Sequence, residues 1–255
     1  MSEFAQIMES IDKQKISIIM QSYLGDYPGS RVDAINKFRR AVKSFQNQLY
    51  KNCELIIVSD GCTKTHQIYA REFKNDPSIK FIFVDKDTPN MYELNEDGQK
   101  YYRGYPRRIG VGAATGSLIT YMDSDDFLMP EFTLTLVLTY NINTDLDWWI
   151  NTAWYDNENA QWEDSNEIFG SDHVDDIIIE GLNGKWTKTR VKPGMAVLSP
   201  WLLMHKSSCT TKWRDMIGTS EDSDFNRRLR EEYKGGATYE RPIYIRCHYR
   251  DVWDI

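Results

Sequence analysis

The sequence predicts an α/β protein built on a mostly parallel central sheet, and three observations carry that expectation. Short β-branched apolar runs recur at 15–21 (KISIIMQ), 53–58 (CELIIV), 80–84 (KFIFV) and 118–122 (LITYM), as buried strands do. Segments with helical spacing lie between them, and strands alternating with helices imply a parallel sheet with right-handed crossovers. Gly, Pro, Ser and Asp cluster at the joints, as in Ser22-Tyr23-Leu24-Gly25-Asp26-Tyr27-Pro28-Gly29 and Ser59-Asp60-Gly61-Cys62-Thr63, which is turn chemistry.

The elements follow in order. Residues 1–14 form a polar lead-in to the first strand. From Arg31 to Asn47, Val32, Ile35, Phe38, Ala41, Val42 and Phe45 recur at helical spacing, with Lys37, Arg39, Arg40 and Lys43 on a solvated outer face. The second strand ends at Asp60-Gly61. Thr63 or Thr65 then caps a helix over His66 to Lys74. The third strand leads into the polar, aromatic stretch 85–105, read as an excursion beside a ligand crevice. Arg107 to Thr115 reads as a helix in which Gly110, Gly112 and Ala113 allow close packing; Gly116 ends it and the fourth strand follows. Beyond Pro130, Phe132 to Tyr140 reads as a buried helix, and Asp147 to Trp154 as a strand of mixed pairing. Residues 156–175 read as an acidic loop and 176–203 as alternating strand and turn. A helix capped by Ser220 or Thr219 runs to about Tyr233, and 243–250 form a last strand carrying His248.

Composition bounds the function. The 255 residues are 41% hydrophobic and 27% charged with a net charge of −7, a globular composition that argues against general nucleic-acid affinity. Cys53, Cys62, Cys209 and Cys247 show no CxxC spacing and read as free thiols in a reducing compartment. Neither a signal peptide nor a run long enough to span a membrane is present, so a cytoplasmic location is expected. All eight Trp lie after residue 147, which suggests a pocket for a ring-shaped ligand in the second half, although aromatic cores give the same pattern.

The fourth strand ends abruptly in Asp123-Ser124-Asp125-Asp126. Like charges this close raise one another's pKa, and a hard divalent cation, which prefers oxygen ligands shared with phosphate, relieves that cost. Open α/β sheets bind ligands at this strand end. The competing reading is a solvated turn, or Asp125 or Asp126 capping a helix near Pro130.

Several ordered stretches together resemble the family 2 inverting glycosyltransferases of the GT-A fold. ISIIMQSYLG resembles the family's opening strand and turn, with Tyr23 in place and Met20 or Gln21 where the family has Pro. ELIIVSDGCTKT resembles its second strand ending in Asp-Asp-Gly, with Ser59 replacing the first Asp. RRIGVGAATGSLITYMDSDDF resembles its Arg-Asn…Asp-Ser-Asp-Asp block, with Arg108 departing from Asn. SEDSDFNRRL resembles its Glu-Asp motif, and His248 resembles a late histidine of some members.

The resemblance implies a GT-A type α/β fold. A donor-binding Rossmann-like half would span residues 1–130, and a smaller mixed half, 131–255, would bind acceptor and carry the base. It implies Asp60 on the nucleotide base, Tyr23 lining base or ribose, Arg107 near the phosphates, and Asp123 and Asp125 in the DxD role with Ser124 between them. One of these carboxylates would face the ribose and one the metal, Mn²⁺ or Mg²⁺. Asp126 is an alternative ligand to Asp125, and His248 a further one. Inversion requires a base opposite the leaving group; Asp222 fills that role, with Glu221 second, and the helix macrodipole there favours ionised carboxylates. Trp201 and the Trp148-Trp149 pair are acceptor-site candidates, while His173 and His205 read as structural.

The implied activity is transfer of a hexosyl or N-acetylhexosaminyl unit from a nucleoside-diphosphate sugar, a UDP-sugar first, to a glycan or lipid-linked acceptor. The setting would be surface polysaccharide or glycoconjugate synthesis, with peripheral contact at the inner face of the membrane. The short stretch after His248 fits addition of one sugar better than processive synthesis. The rivals are a nucleotidyltransferase, for which SYLGDYPGSR is a poor Gly-rich loop, and a decayed nucleotide- or sugar-binding module. EF-hand, P-loop and GxGxxG patterns are absent.

Overall fold

The computed structural model describes residues 13–25, 33–85, 96, 101–151, 153–157, 172–177, 186–190, 203–218, 220–239 and 243–246. A seven-stranded sheet organises them, and four adjacent strands reaching one of its edges run parallel. β1 (Ile16–Ser22) lies between β2 (Cys53–Asp60) and β5 (Leu118–Asp123), with β3 (Ile79–Val84) outside β2. Beyond β5 come β11 (Leu203–Lys206), β7 (Trp148–Asn151) and β13 (Gly235–Tyr239). Only β11 runs against the rest. The mixed pairing expected around Asp147 to Trp154 is therefore present at β7, but that stretch divides: β8 (Ala153–Asn157) joins a second sheet.

β1, β2 and β5 bury both faces, and Ile16, Ile18, Met20, Leu55, Ile56, Ile57, Val58 and Leu118 are fully enclosed. That burial explains the continuous β-branched runs, which central parallel strands need. One side of the sheet is covered by α1 (Ala34–Gln46), whose Phe38, Ala41, Val42 and Phe45 are buried. Its expected solvated face is partly wrong: Lys37 is also buried, and Arg39 is held by a two-pronged pair with Glu72 at 2.8 Å for each bond. α2 (Thr63–Glu72) begins earlier than its spacing suggests, and no side chain caps it; Thr65 is instead buried against Ser22.

α3 (Tyr105–Ala113) packs on β1 and β2 through Gly110. A Cβ there would stand 2.4 Å from Ile19 Cγ2, so no larger residue fits without displacement. Gly112 meets nothing within 4 Å, and the packing role expected for it is not needed. α4 (Phe132–Ile142) starts after Glu131 without a side-chain cap, so neither Asp125 nor Asp126 caps it.

The second sheet has the order β6 (Phe127–Leu128), β14 (Tyr244–Arg246), β8, β10 (Trp186–Arg190), β9 (Asp172–Ile177). β9 overlaps the stretch expected as loop; its register against β10 supplies the ladder that its acidic sequence did not advertise. A small pair joins β4 (Tyr101–Tyr102) to β12 (Met216–Ile217). α5 (Glu221–Glu232) carries the Glu-Asp motif.

Candidate active site

The chain leaves β1 for β2 and β3 on one side and returns to β5 on the other. Strand order therefore reverses at β1, which opens a crevice at the carboxyl ends of the strands. The register sets Gln21 beside Asp123 and Ser22 beside Ser59, so the ends of β1, β2 and β5 are level. Asp60 ends β2 and accepts a hydrogen bond from Nη1 of Arg103, a buried guanidinium just ahead of α3. Tyr23 follows β1, half-buried, with its ring over Gly25. At the end of β1, Gln21 Oε1 is buried and has no hydrogen-bond partner among the described residues.

After β5 the acidic turn closes on itself, with Asp126 N–H donating to the Asp123 carbonyl at 3.2 Å. Asp123, Ser124 and Asp125 stay partly exposed while Asp126 is buried. Tyr244 of β14 donates its hydroxyl proton to Asp126 Oδ2 at 2.7 Å and accepts Asp123 N–H at 3.0 Å. From α1, Arg40 Nη2 donates to the Asp125 carbonyl at 3.0 Å, so this arginine serves the turn and is not merely solvated.

The first turn of α5 meets this strand end through Arg107. Its Nη1 donates to Glu221 Oε1 at 2.5 Å and to Asp222 Oδ1 at 3.3 Å, and its Nη2 to Asp123 Oδ1 at 3.5 Å. Burial works against the guanidinium's charge, but Asp222, Glu221 and Asp123 outweigh it and hold its proton more tightly than usual. Three carboxylates thus share one cation. For Asp222, burial pushes the carboxyl pKa up, Arg107 opposes, and Glu221 and Asp123 add to the rise; the net position is well above the ordinary range. The helix terminus favours ionisation, yet burial and like charge prevail. Ser220 caps α5, accepting Asp222 N–H at 3.3 Å.

Residues 210–217 strap α5 to α3. Arg228 Nη2 donates to the Lys212 carbonyl at 2.7 Å, and Asp215 Oδ1 accepts Tyr105 N–H at 2.9 Å. A Cβ on Gly104 would lie 2.3 Å from the Arg214 carbonyl oxygen. At the strap's centre, buried Trp213 lies under Arg107, 5.0 Å from ring centroid to Cζ, and stacks on Phe225 at 4.0 Å. Trp213 Nε1–H donates to Tyr121 Oη at 3.0 Å, and Tyr121 stands 2.8 Å from His205 Nε2. Burial lowers the His205 pKa to about 4 against a raising contact with the Lys206 carbonyl. The neutral ring then donates from Nδ1 to that carbonyl at 2.9 Å and accepts the Tyr121 proton at Nε2, a tautomer assigned from its partners.

Asp60, Arg107, Asp123, Ser124, Asp125, Glu221 and Asp222 all lie at this end of the sheet, and Asp126 is turned inward beneath it. Trp201 and His248 lie outside the described residues. Trp148 and Trp149 are buried at 6% and 2% exposure and serve the core. Arg103, Trp213 and Tyr244 escaped the sequence reading. A tyrosine inside the apolar strand Ile243-Tyr244-Ile245 was a signal, because a buried hydroxyl requires a partner.

Among the described residues no group of three or more His, Cys, Asp or Glu is arranged to hold a metal ion. A cation here would complete its shell from diphosphate and water, as Mg²⁺ commonly does. The residues present fit that role: Asp123 and Asp125 offer partly exposed carboxylate oxygens, and Asp123 shares the Arg107 guanidinium with Glu221 and Asp222.

No family model matches the chain. The S. aureus protein TarS, solved with UDP-GlcNAc, superposes with a TM-score of 0.62 over 91% of this chain and 58% of its own, at 15% identity. The fold is that of the GT-A glycosyltransferases. The mannosyltransferase PcManGT from Pyrobaculum calidifontis, solved with GDP-Man and Mn²⁺, superposes at a TM-score of 0.51 over 91% of this chain and 56% of its own, at 10% identity. In sequence, glycosyltransferase GlyA of Streptococcus pneumoniae serotype 4 is 21% identical over 203 residues, 76% of this chain and 26% of its own. The chain spans between 13% and 37% of the length of the curated relatives that it matches.

Proposed function

We propose that the chain is a metal-dependent inverting glycosyltransferase of the family 2 type, moving a sugar from a nucleoside diphosphate to an acceptor hydroxyl. The observation that carries this reading is the junction at Arg107, which brings a carboxyl of raised proton affinity, Asp222, to the same guanidinium as Asp123 of the acidic turn. A base must stand across the anomeric carbon from the leaving group, and Asp222 receives the acceptor's proton as its oxygen attacks. Glu221 anchors Arg107, and Arg107 keeps Asp222 and the turn in register. Asp123 and Asp125 would hold the divalent cation, Mn²⁺ or Mg²⁺, which when bound neutralises charge developing on the departing diphosphate.

Asp60 beside Arg103 presents an acceptor next to donors. That order matches a ring N–H adjacent to a carbonyl, an edge that uracil and guanine have and that cytosine and adenine lack. The solved neighbours with UDP-GlcNAc and with GDP-Man support the same two bases. UDP-sugar stands first. Residues 1–130 serve the donor and 131–255 the acceptor, a glycan or lipid-linked glycan. Among the described residues no helix is long and apolar enough to cross a membrane, and Cys53, Cys62 and Cys209 are free thiols. Both fit work on the cytoplasmic side, with peripheral membrane contact, in surface glycan synthesis.

Calorimetric titration with UDP, GDP, CDP and ADP, in Mn²⁺ or in EDTA, tests the donor site. UDP is expected to bind about tenfold or more tighter than CDP and ADP, because a mismatched edge leaves buried polar groups unpaired, and to weaken in EDTA and in Asp125→Ala. Failure of the folded protein to bind any of the four would sink the reading.

A further inference from the structure

The acidic turn is held from beneath by a tyrosine that the sequence gives no reason to connect with it. Tyr244 is fully buried, and its ring packs 6.2 Å from that of Phe132. Its strand is fixed to the residues just past the turn: Tyr244 pairs with Leu128, Ile245 with Phe127, and Met129 N–H donates to the Ile243 carbonyl at 3.0 Å. One hydroxyl therefore reaches both ends of the turn. It donates to Asp126 Oδ2 at 2.7 Å and accepts Asp123 N–H at 3.0 Å. A tyrosine hydroxyl can do both at once, and a carboxylate only 2% exposed needs such a partner.

We propose that Tyr244 and Asp126 form a latch that sets the shape of the metal-binding turn, with Asp125 and Asp123 left to face the cation. Tyr244 and Asp126 are positioning residues in this scheme. It rests on the donor-site reading above and assigns roles within the Asp123–Asp126 cluster. The Tyr244 hydroxyl, the Asp126 N–H to Asp123 carbonyl bond at 3.2 Å and Arg40 on the Asp125 carbonyl at 3.0 Å all hold the turn. With Asp126 drawn inward and Asp123 and Asp125 partly exposed, the ligating carboxylates are presented in one arrangement before the cation arrives. Removing the hydroxyl takes one hydrogen bond from Asp123 N–H and one from the Asp126 carboxylate, and the turn then has more than one way to settle.

The experiment is Mn²⁺ titration of the protein saturated with UDP, followed by calorimetry or by loss of the free-ion resonance signal, with UDP binding in EDTA measured alongside. Tyr244→Phe is expected to weaken Mn²⁺ by about 10- to 100-fold, the usual cost of losing a partner of a metal ligand, while UDP affinity in EDTA stays within about twofold of wild type. Asp126→Asn keeps an oxygen for the tyrosine and is expected to lose clearly less Mn²⁺ affinity than Asp125→Asn. A folded Tyr244→Phe that binds Mn²⁺ like wild type overturns the latch. So does an Asp126→Asn that loses Mn²⁺ as completely as Asp125→Asn, because Asp126 would then be a ligand itself. Should Tyr244→Phe not fold, the comparison of the two asparagine variants decides. A wild-type protein that binds UDP with no response to Mn²⁺ removes the metal reading and the latch together; normal Mn²⁺ dependence with an insensitive Tyr244→Phe removes the latch alone.

Discussion

Asp222 carries opposing demands, since the proton affinity that suits a base makes its ionised form costly to bury. The sign follows from its raised pKa. Stability tied to this group is complete below the unfolded value of about 3.9 and declines as pH rises through the higher folded value. Asp222→Asn should therefore unfold at a higher temperature than wild type, with a gap wider at pH 8 than at pH 5. It should also lose about 10²- to 10⁴-fold in transfer rate, the usual weight of a general base. Thermal melts at the two pH values, beside a rate assay, check both halves. A variant that is less stable at pH 8 would mean that Arg107 depends on Asp222 for its own burial.

At the scale of elements, the strap 210–217 decides whether α3 and α5 share a site. Trp213→Ala opens a cavity under Arg107 and beside Phe225 and should cost about 3–5 kcal/mol in denaturant unfolding. Trp213→Phe keeps a ring there but withdraws the donor from Tyr121, at a cost of about 1–2 kcal/mol. Ser220→Ala removes the cap of α5 and should cost about 1 kcal/mol. The elements themselves were largely legible. Apolar runs and Gly-rich joints marked β1, β2, β3 and β5 within a residue or two, and the Ser220 cap was readable from Ser-Glu-Asp before a helix. Pairing between distant segments was not. Tyr244 meets Asp126 across 118 positions and Arg107 meets Asp222 across 115, and no local periodicity encodes such a contact. The burial of Lys37 and the bond from Arg40 to the Asp125 carbonyl are hidden for a related reason: a basic residue at helical spacing looks solvated until the elements packed over it are known.

Over the whole molecule, the two ends of the sheet handle buried charge in opposite ways. At the amino end Glu54 is enclosed, and its fate depends on many partners. Burial raises its pKa, but bonds from Ser17, Thr115 and Lys15 bring it down to about 2. These bonds tie β1 and β2 to the segment before β5 at 2.7 Å from Ser17 Oγ, 2.7 Å from Thr115 N and 3.0 Å from Lys15 Nζ, with Lys80 at 3.2 Å. A lowered folded pKa contributes stability that is present above about pH 4.5 and is lost as pH falls toward 2. Glu54→Gln should cost about 3 kcal/mol at neutral pH, with the deficit shrinking over that acid range, as denaturant titrations at stepped pH would record. At the carboxyl end Asp123, Glu221 and Asp222 share the guanidinium of Arg107, and burial with like charge raises the Asp222 pKa. Stability in the absence of nucleotide should therefore fall on the acid side as Glu54 takes up its proton, while the Asp222 contribution runs the other way and declines as pH rises.

The most direct test of the central claim follows the sugar itself. With Mn²⁺ present and UDP-GlcNAc as a probe donor, any slow hydrolysis would let water stand in for the acceptor, and proton NMR would read the anomer formed first, before mutarotation mixes the two. Direct displacement with Asp222 as base predicts that β-GlcNAc appears first from the α-linked donor, and that Asp222→Asn abolishes it. First-formed α-GlcNAc, or β-GlcNAc released undiminished by Asp222→Asn, would contradict the account.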